Sequence, residues 1–405
     1  MKKPTSVPTE PSNPPHSPPD FSLVEGGLVF RLLRWAHLPC DALLKVRPRI
    51  IVAALVAWPP LLLLSALEGQ MLGESVAVPF LLDVEAHIRF LVALPLLIVA
   101  DIEAQRRMPP MLRQFLVRRL VPQNSVVRFE AAVASAIRLR SSVLAEALLL
   151  AAVYGVGILI VWRHYWALDT ATWYVTPAAE GSKLTVAGMW YGYVSVPIVQ
   201  FLLFRLYWRL IIFARLLWQV SRIELSLVPA HPDLYGGLGF LASTAYAYAM
   251  FAAAHGALMA GQIASRILFA GATLPTFADA IAGLLVFILS VVLAPVLFFA
   301  PQLAATKRAG LLEYGALAER YVRGFDAKWL RGAAPAEEEL IGSADIQSQA
   351  DLSTNYDVVR SMRIAPISVD AFLPLVVATL LPITPLLFTM VPLNELLKKL
   401  FGIAF

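Results

Sequence analysis

Apolar positions along this chain gather into long runs separated by short polar segments rich in charge. Seven runs approach or exceed the roughly 17–25 residues with which a helix crosses a hydrocarbon layer about 30 Å thick: residues 49–67, 86–102, 143–162, 186–206, 241–268, 278–300 and 369–390. The pattern predicts an all-α fold, a polytopic membrane bundle of about seven transmembrane helices. The bundle spans 21–304, a small cytosolic helical region follows over 305–366, and the last segment and tail occupy 367–405. Residues 1–20 contain seven prolines and no apolar periodicity, so they read as a disordered cytoplasmic tail.

Charge orients the bundle. Lys and Arg number seven up to Arg49, eight between the second and third runs, four from Arg205 to Arg222, and eight between the sixth and seventh. Alternate connections hold few: none over 68–83, then Arg163 and Lys183, then Arg266, and finally Lys398 and Lys399. Segments rich in Lys and Arg stay cytoplasmic, so the amino terminus is expected inside, and Lys398 and Lys399 run against the rule. Trp162, Tyr165, Trp166, Trp173 and Tyr174 suit an outer interfacial belt. Composition agrees, since 59% of residues are hydrophobic and 15% charged, where a soluble domain is about half apolar and a quarter charged. The net charge of +5 is then the signature of retained cytoplasmic loops and not of a nucleic-acid binder. Cys40 is the single cysteine, which excludes an intramolecular disulfide and any thiolate metal cluster.

Beyond the sixth run, Tyr314, Leu317, Tyr321, Phe325 and Trp329 recur at helical spacing, which predicts an amphipathic cytosolic helix. A second helix is expected after Ser343. The fourth run continues as an arginine and aromatic stretch to Leu225, one long helix projecting inward.

Candidate chemistry is concentrated in five places. On the fifth run Thr244, Tyr248, His255, Gln262 and Arg266 lie within about 20° of one direction on a helix, a polar stripe that either glues helices together or borders a water-lined path. Beside it Ala252, Gly256, Ala260 and Ala264 form a small-residue ridge that permits close helix approach. Glu146, inside the third run, is expected to pair with Arg205 or Arg209. The turn His231-Pro232-Asp233-Leu234-Tyr235-Gly236-Gly237-Leu238-Gly239 offers backbone amides at a helix start, for an anion such as a lipid phosphate or for tight packing. In the last run Pro382, Pro385 and Thr384 suit a bent pore-lining or gating helix, or a kinked packing one. At the outer end of the second run, Asp83 with His87 and Glu85 with Arg89 are spaced as i, i+4 pairs. No nucleotide loop, serine elbow or zinc-protease motif occurs. Neither catalytic residues nor a cofactor nor a metal is therefore expected, and an enzyme has no support.

The segments HPDLYGGLGFL at 231–241 and GSADIQSQADL at 342–352 resemble those of a group of bacterial multi-pass inner-membrane proteins, which implies location in that membrane and no particular activity. More loosely, the layout is similar to the insect chemoreceptor channels, with seven spans, the amino terminus inside, membrane helices extended into the cytosol, and a final span after a cytosolic helix. That likeness implies a homo-oligomeric cation channel. The sequence thus points to a membrane-embedded channel or transport protein, with the lipid bilayer and further copies of itself as partners. The alternatives are a sensor or scaffold holding a cytosolic protein through the helices of 305–366, or a lipid-handling protein.

Overall fold

The computed structural model describes residues 46–72, 76–155, 172–178, 181–332, 334–335, 339–340 and 343–390. The expected tail at 1–20, Cys40, residues 156–162 of the third run, Trp162, Tyr165, Trp166, Lys398 and Lys399 lie outside these.

Helices account for nearly all of the described chain. Helix α1 covers Val46–Leu67 and breaks at Trp58, after which Pro59 opens a new first turn where its missing N–H removes no bond. Helix α2 covers 84–117, as Val84–His87, a π-helical stretch Ile88–Ala93 and Leu94–Val117. Helices α3 (Val126–Arg140) and α4 (Val143–Gly155) follow. After a two-stranded antiparallel hairpin, β1 (Val175–Ala178) and β2 (Gly181–Leu184), come α5 (Val186–Val220), α6 (Thr244–Ala270) and α7 (Leu274–Leu330). The chain returns through α8 (Ala344–Ser361) and α9 (Val369–Leu380), which bends by 50° into a short 3-10 helix, Thr384–Met390.

Three of these helices, α1, α5 and α7, are long and apolar enough to cross a membrane, and the bent pair at 369–390 makes a fourth if taken as one span. Their flanks expose large apolar side chains such as Leu55, Leu63 and Val286, a surface that suits lipid and not water. Helices α2 and α6 are long too, and the 27 residues of α6 rise ~40 Å. They are less apolar because they sit inside the bundle. One side of α6 packs on α2 and another on α9, and most of its turns are buried, Phe251, Ala252, Ala254 and Ala257 among them. The small-residue ridge works as its spacing suggests: a Cβ on Gly256 would collide with the backbone carbonyl of Thr379 in α9.

At the hairpin end of the bundle the charged pairs differ in part from their spacing. Glu85 and Arg89 form an ion pair, and Arg89 also reaches the Tyr191 hydroxyl. Asp83 and His87 do not pair. Asp83 caps its helix through the amide of Ala86 at 3.0 Å and accepts the indole N–H of Trp173 at 2.8 Å. His87 instead accepts from the indole of Trp58 at 2.9 Å. Trp173 is fully buried against Phe80 and Tyr191 and so belongs to the core, not to an interfacial belt. Its indole N–H needed a partner once buried, and Asp83 supplies one.

Beyond the bundle, α7 continues as one helix of 57 residues, roughly 85 Å long. Its far part pairs with α8. Tyr321 donates to the carbonyl of Asp345 at 2.8 Å, and the Asp345 carboxylate receives Lys328 and Trp329 at 2.8 and 2.9 Å. The stripe from Tyr314 to Trp329 is half covered by α8. Helix α8 begins after Ser343 as its sequence suggests, although the Ser343 hydroxyl makes no cap.

Candidate functional site

The five polar positions of α6 have different fates. Thr244 is buried, its hydroxyl 3.4 Å from the sulfur of Met111. Tyr248 is buried beside Phe213 and Phe251. The imidazole Nδ1 of His255 lies 2.8 Å from the carbonyl oxygen of Phe251 and its Nε2 lies 2.6 Å from the Tyr207 hydroxyl. A carbonyl can only accept, so Nδ1 carries the proton and Nε2 accepts from Tyr207. Both ring nitrogens are thereby satisfied. Gln262 and Arg266 are exposed, near the hairpin end. The stripe therefore does not form one continuous interior row.

Charge is concentrated one helix away. Asp101 of α2 and Arg209 of α5 form an ion pair with side chains only 8% and 11% exposed. Gln105, one turn on from Asp101, donates to its second oxygen at 3.0 Å. Arg205, Arg49 and Arg140 lie within electrostatic reach of the same carboxylate. Arg209 thus carries the carboxylate of Asp101, a partner additional to the Glu146 expected for Arg205 or Arg209. Glu146 is buried on α4. Four arginines thus act on the buried carboxylate of Asp101. Such a concentration in the interior of a lipid-facing bundle is costly to build and marks function more often than fold.

A cavity opens next to the cluster, between α2, α3, α5 and α6. Its volume is about 90 Å³, smaller than a drug-sized ligand site. Met108, Leu112, Val133, Ile212, Phe213 and Leu216 give it an apolar wall, while Arg140, Arg209, Gln105 and Tyr248 supply the polar groups. Tyr248 is 1% exposed and its hydroxyl has no hydrogen-bond partner among the described residues. A buried hydroxyl left in that state costs about 1–3 kcal/mol, which makes its place on the cavity wall informative.

The glycine turn is occupied by its own carboxylate. One oxygen of Asp233 accepts the amides of Tyr235 and Gly237 at 2.8 and 3.1 Å, and the other accepts Gly239 at 2.9 Å. Burial alone would raise the Asp233 carboxyl, but these three amides, with His231 2.8 Å away, outweigh it and hold the group below the usual carboxylate range. Leu234, Gly236 and Gly237 adopt positive φ, a conformation that suits glycine and makes Leu234 a strained exception. The turn is also a junction. Arg118 donates to the carbonyl of Gly237, Arg363 to the Tyr235 hydroxyl, and Val228 to the carbonyl of Gly236. With an internal anion in place, the geometry is that of a packed corner. At the other candidate position, Pro382, Thr384 and Pro385 mark the 50° bend after α9. Thr384 returns its hydroxyl to the carbonyl of Leu380 at 3.2 Å, which also accepts the amide of Ile383 at 2.9 Å.

No family model, curated protein or solved structure matches this chain. The site therefore rests on its own geometry. Among the described residues, no group of three His, Cys, Asp or Glu side chains is placed to hold a metal. Asp101, Gln105, Arg49 and Arg140 are the members that sequence reasoning passed over. Asp101 lies at the very end of the second apolar run, where it reads as the first loop charge, and Arg140 ends an amphipathic segment between runs. The available signal was Gln105 four residues beyond Asp101, a spacing that pairs side chains on one helix face.

Proposed function

We propose that this chain is a seven-span inner-membrane protein of the transport or lipid-handling class, with the cavity between α2, α3, α5 and α6 as its ligand site. The observation that carries the reading is the coincidence of the Asp101–Arg209 ion pair with an apolar cavity whose wall includes Tyr248, a buried tyrosine whose hydroxyl has no partner among the described residues. The seven spans are α1, α2, the third apolar run of the sequence at 143–162, α5, α6, the first part of α7, and the bent pair at 369–390. Helices α2 and α6 complete the count because their mid-helix polar groups, Asp101 and Gln105 on α2 and Thr244, Tyr248 and His255 on α6, face protein and need not meet lipid. The amino terminus is then inside, and the hairpin α7–α8 projects into the cytosol. The pairing of His255 with Tyr207 and Phe251 favours ligand binding over an ion path along α6.

Two measurements test this. Single cysteines at Asn124 and Gly271, placed in a Cys40→Ser background, should label from opposite sides of the membrane; labelling from the same side ends the topology. Native mass spectrometry of protein taken from membranes should find a small amphiphile bound near one per chain, and Leu112→Trp, which fills the cavity, should remove it. Equal retention by that variant would show that the cavity is not the site.

A further inference from the structure

Past its apolar run, α7 has one covered side and one bare side. Leu303, Gly310, Tyr314 and Tyr321 fall where the chain folds back. Leu303 and Gly310 are buried, Gly310 lies against Pro229 and, in α8, Val359, and Tyr321 bonds to the carbonyl of Asp345. The opposite side carries Ala305, Ala309, Leu312, Ala316, Glu319 and Arg323, alternately four and three residues apart and within about 40° of one direction. All six are exposed, Leu312 at 76%. This is the a and d spacing of a coiled coil, with Ala305, Leu312 and Glu319 at d and Ala309, Ala316 and Arg323 at a. The stretch follows the apolar run at 278–300, so its leucine meets water and not lipid.

Charges beside the seam select the partner. In a parallel pair each g residue meets the e residue five places on in the other helix, and such pairs set partner and orientation. Here g is Arg308 and that e residue is Glu313. Both are exposed, and neither forms an ion pair among the described residues. Glu319 is bound to Arg323 of its own helix at 2.7 Å. In the parallel pair it also meets Arg320 and Arg323 of the second copy, and Arg320 is exposed and has no ion pair among the described residues. Copies inserted into one membrane share one orientation, so their α7 helices run parallel, as this pairing requires.

We infer that the face of α7 from Ala305 to Arg323 is the docking surface for a second copy of this chain, which pairs with it in parallel through the same residues. The parallel sense rests on the proposed membrane orientation; the partner is additional to it. Alanine layers bring the two helices close, Leu312 supplies the main apolar contact, and Arg308 with Glu313 fixes the register. The same side of α7 stays exposed inside the apolar run at Gly283, Val286, Ser290 and Ala294, where small side chains let helices approach in lipid. At the far end the π-helical stretch Asp326–Leu330 shifts the phase and closes the seam.

The test uses the full chain with Cys40→Ser, oxidised by copper phenanthroline in native membranes. A disulfide needs Cα atoms within about 7 Å, so Leu312→Cys and Ala309→Cys should each give a linked species of two chains, roughly five-fold or more above Gly324→Cys, an exposed position off the seam. Arg308→Glu and Glu313→Arg should each cut the yield of Leu312→Cys several-fold, because each sets like charges across the seam. Coexpressing these two variants with different tags should restore the yield in the mixed pair alone, where every reversed charge faces its opposite. General damage to the fold does not recover in this way. Equal linkage through Gly324→Cys, a linked species that contains another protein, or charge reversals without effect would overturn the pairing. Labelling of Asn124 and Gly271 from opposite sides without any linkage would remove the second copy and leave the topology; linkage with labelling from one side would remove the topology and leave the pair.

Discussion

Replacing Asp101 by Leu should destabilise the protein strongly, and more than the matching change at Arg209. The two side chains are 8% and 11% exposed, so removing one leaves the other charged and cut off from water, a loss of about 3–5 kcal/mol. The partners are not equivalent, however. Asp101 lies among four arginines, Arg209, Arg205, Arg49 and Arg140. Without Asp101 these cations face one another in the bundle with the carboxylate between them gone. Without Arg209, as in Arg209→Met, Asp101 keeps three arginines in reach and loses chiefly one hydrogen bond to a charged group, about 1.5–3 kcal/mol. The double variant should fall short of the sum of the two singles by at least ~1 kcal/mol, because the second change no longer breaks a pair. Unfolding in mixed micelles, titrated with dodecyl sulfate and followed by helical circular dichroism, measures all three. If Asp101→Leu stays within about 0.5 kcal/mol of the parent, or if Arg209→Met is the more damaging, the cluster is neither buried nor arranged around Asp101.

The glycine turn gives a pH-dependent prediction. The folded Asp233 carboxyl lies below its ordinary value, about 3.9 in an unfolded chain, so its contribution is present above about pH 4 and is lost as pH falls through the lower folded value. Asp233→Asn should lower stability by about 1–3 kcal/mol at neutral pH, and the gap from the parent should close in acid; a gap that widens in acid contradicts the amide cradle. Gly256→Ala forces a methyl against the carbonyl of Thr379 and should cost about 1–3 kcal/mol through displacement of α9, read as a fall in melting temperature; an unchanged value would mean that the two helices do not touch there. Asp345→Ala removes the acceptor shared by Lys328 and Trp329, so amide exchange in the first turns of α8 should quicken while that of α6 is unaltered. Equal exchange in both variants would show that α8 is held by its apolar face alone.

Length and apolar content are local properties, and for that reason the sequence determined the helices, including the unbroken run of α5 to Val220 and the amphipathic stretch from Tyr314 to Trp329. Proline placement determined the break after α9. The ridge of Ala252, Gly256, Ala260 and Ala264 was legible because helical spacing alone puts these residues on one face. Which residues meet across the bundle was not legible. Trp173 looked interfacial because tryptophan often is, yet loop packing carried it into the core with Asp83 as its acceptor. The stripe of α6 was regular on a helical wheel, but a wheel does not say what lies opposite each position: aromatic rings and Tyr207 meet its first half, and among the described residues nothing encloses Gln262 or Arg266. Asp101 and Arg209 are separated by 108 residues, so no periodicity joins them. Their pairing, and the cavity that opens beside it, follow from how α2 and α5 cross, which only the packing of the whole bundle decides.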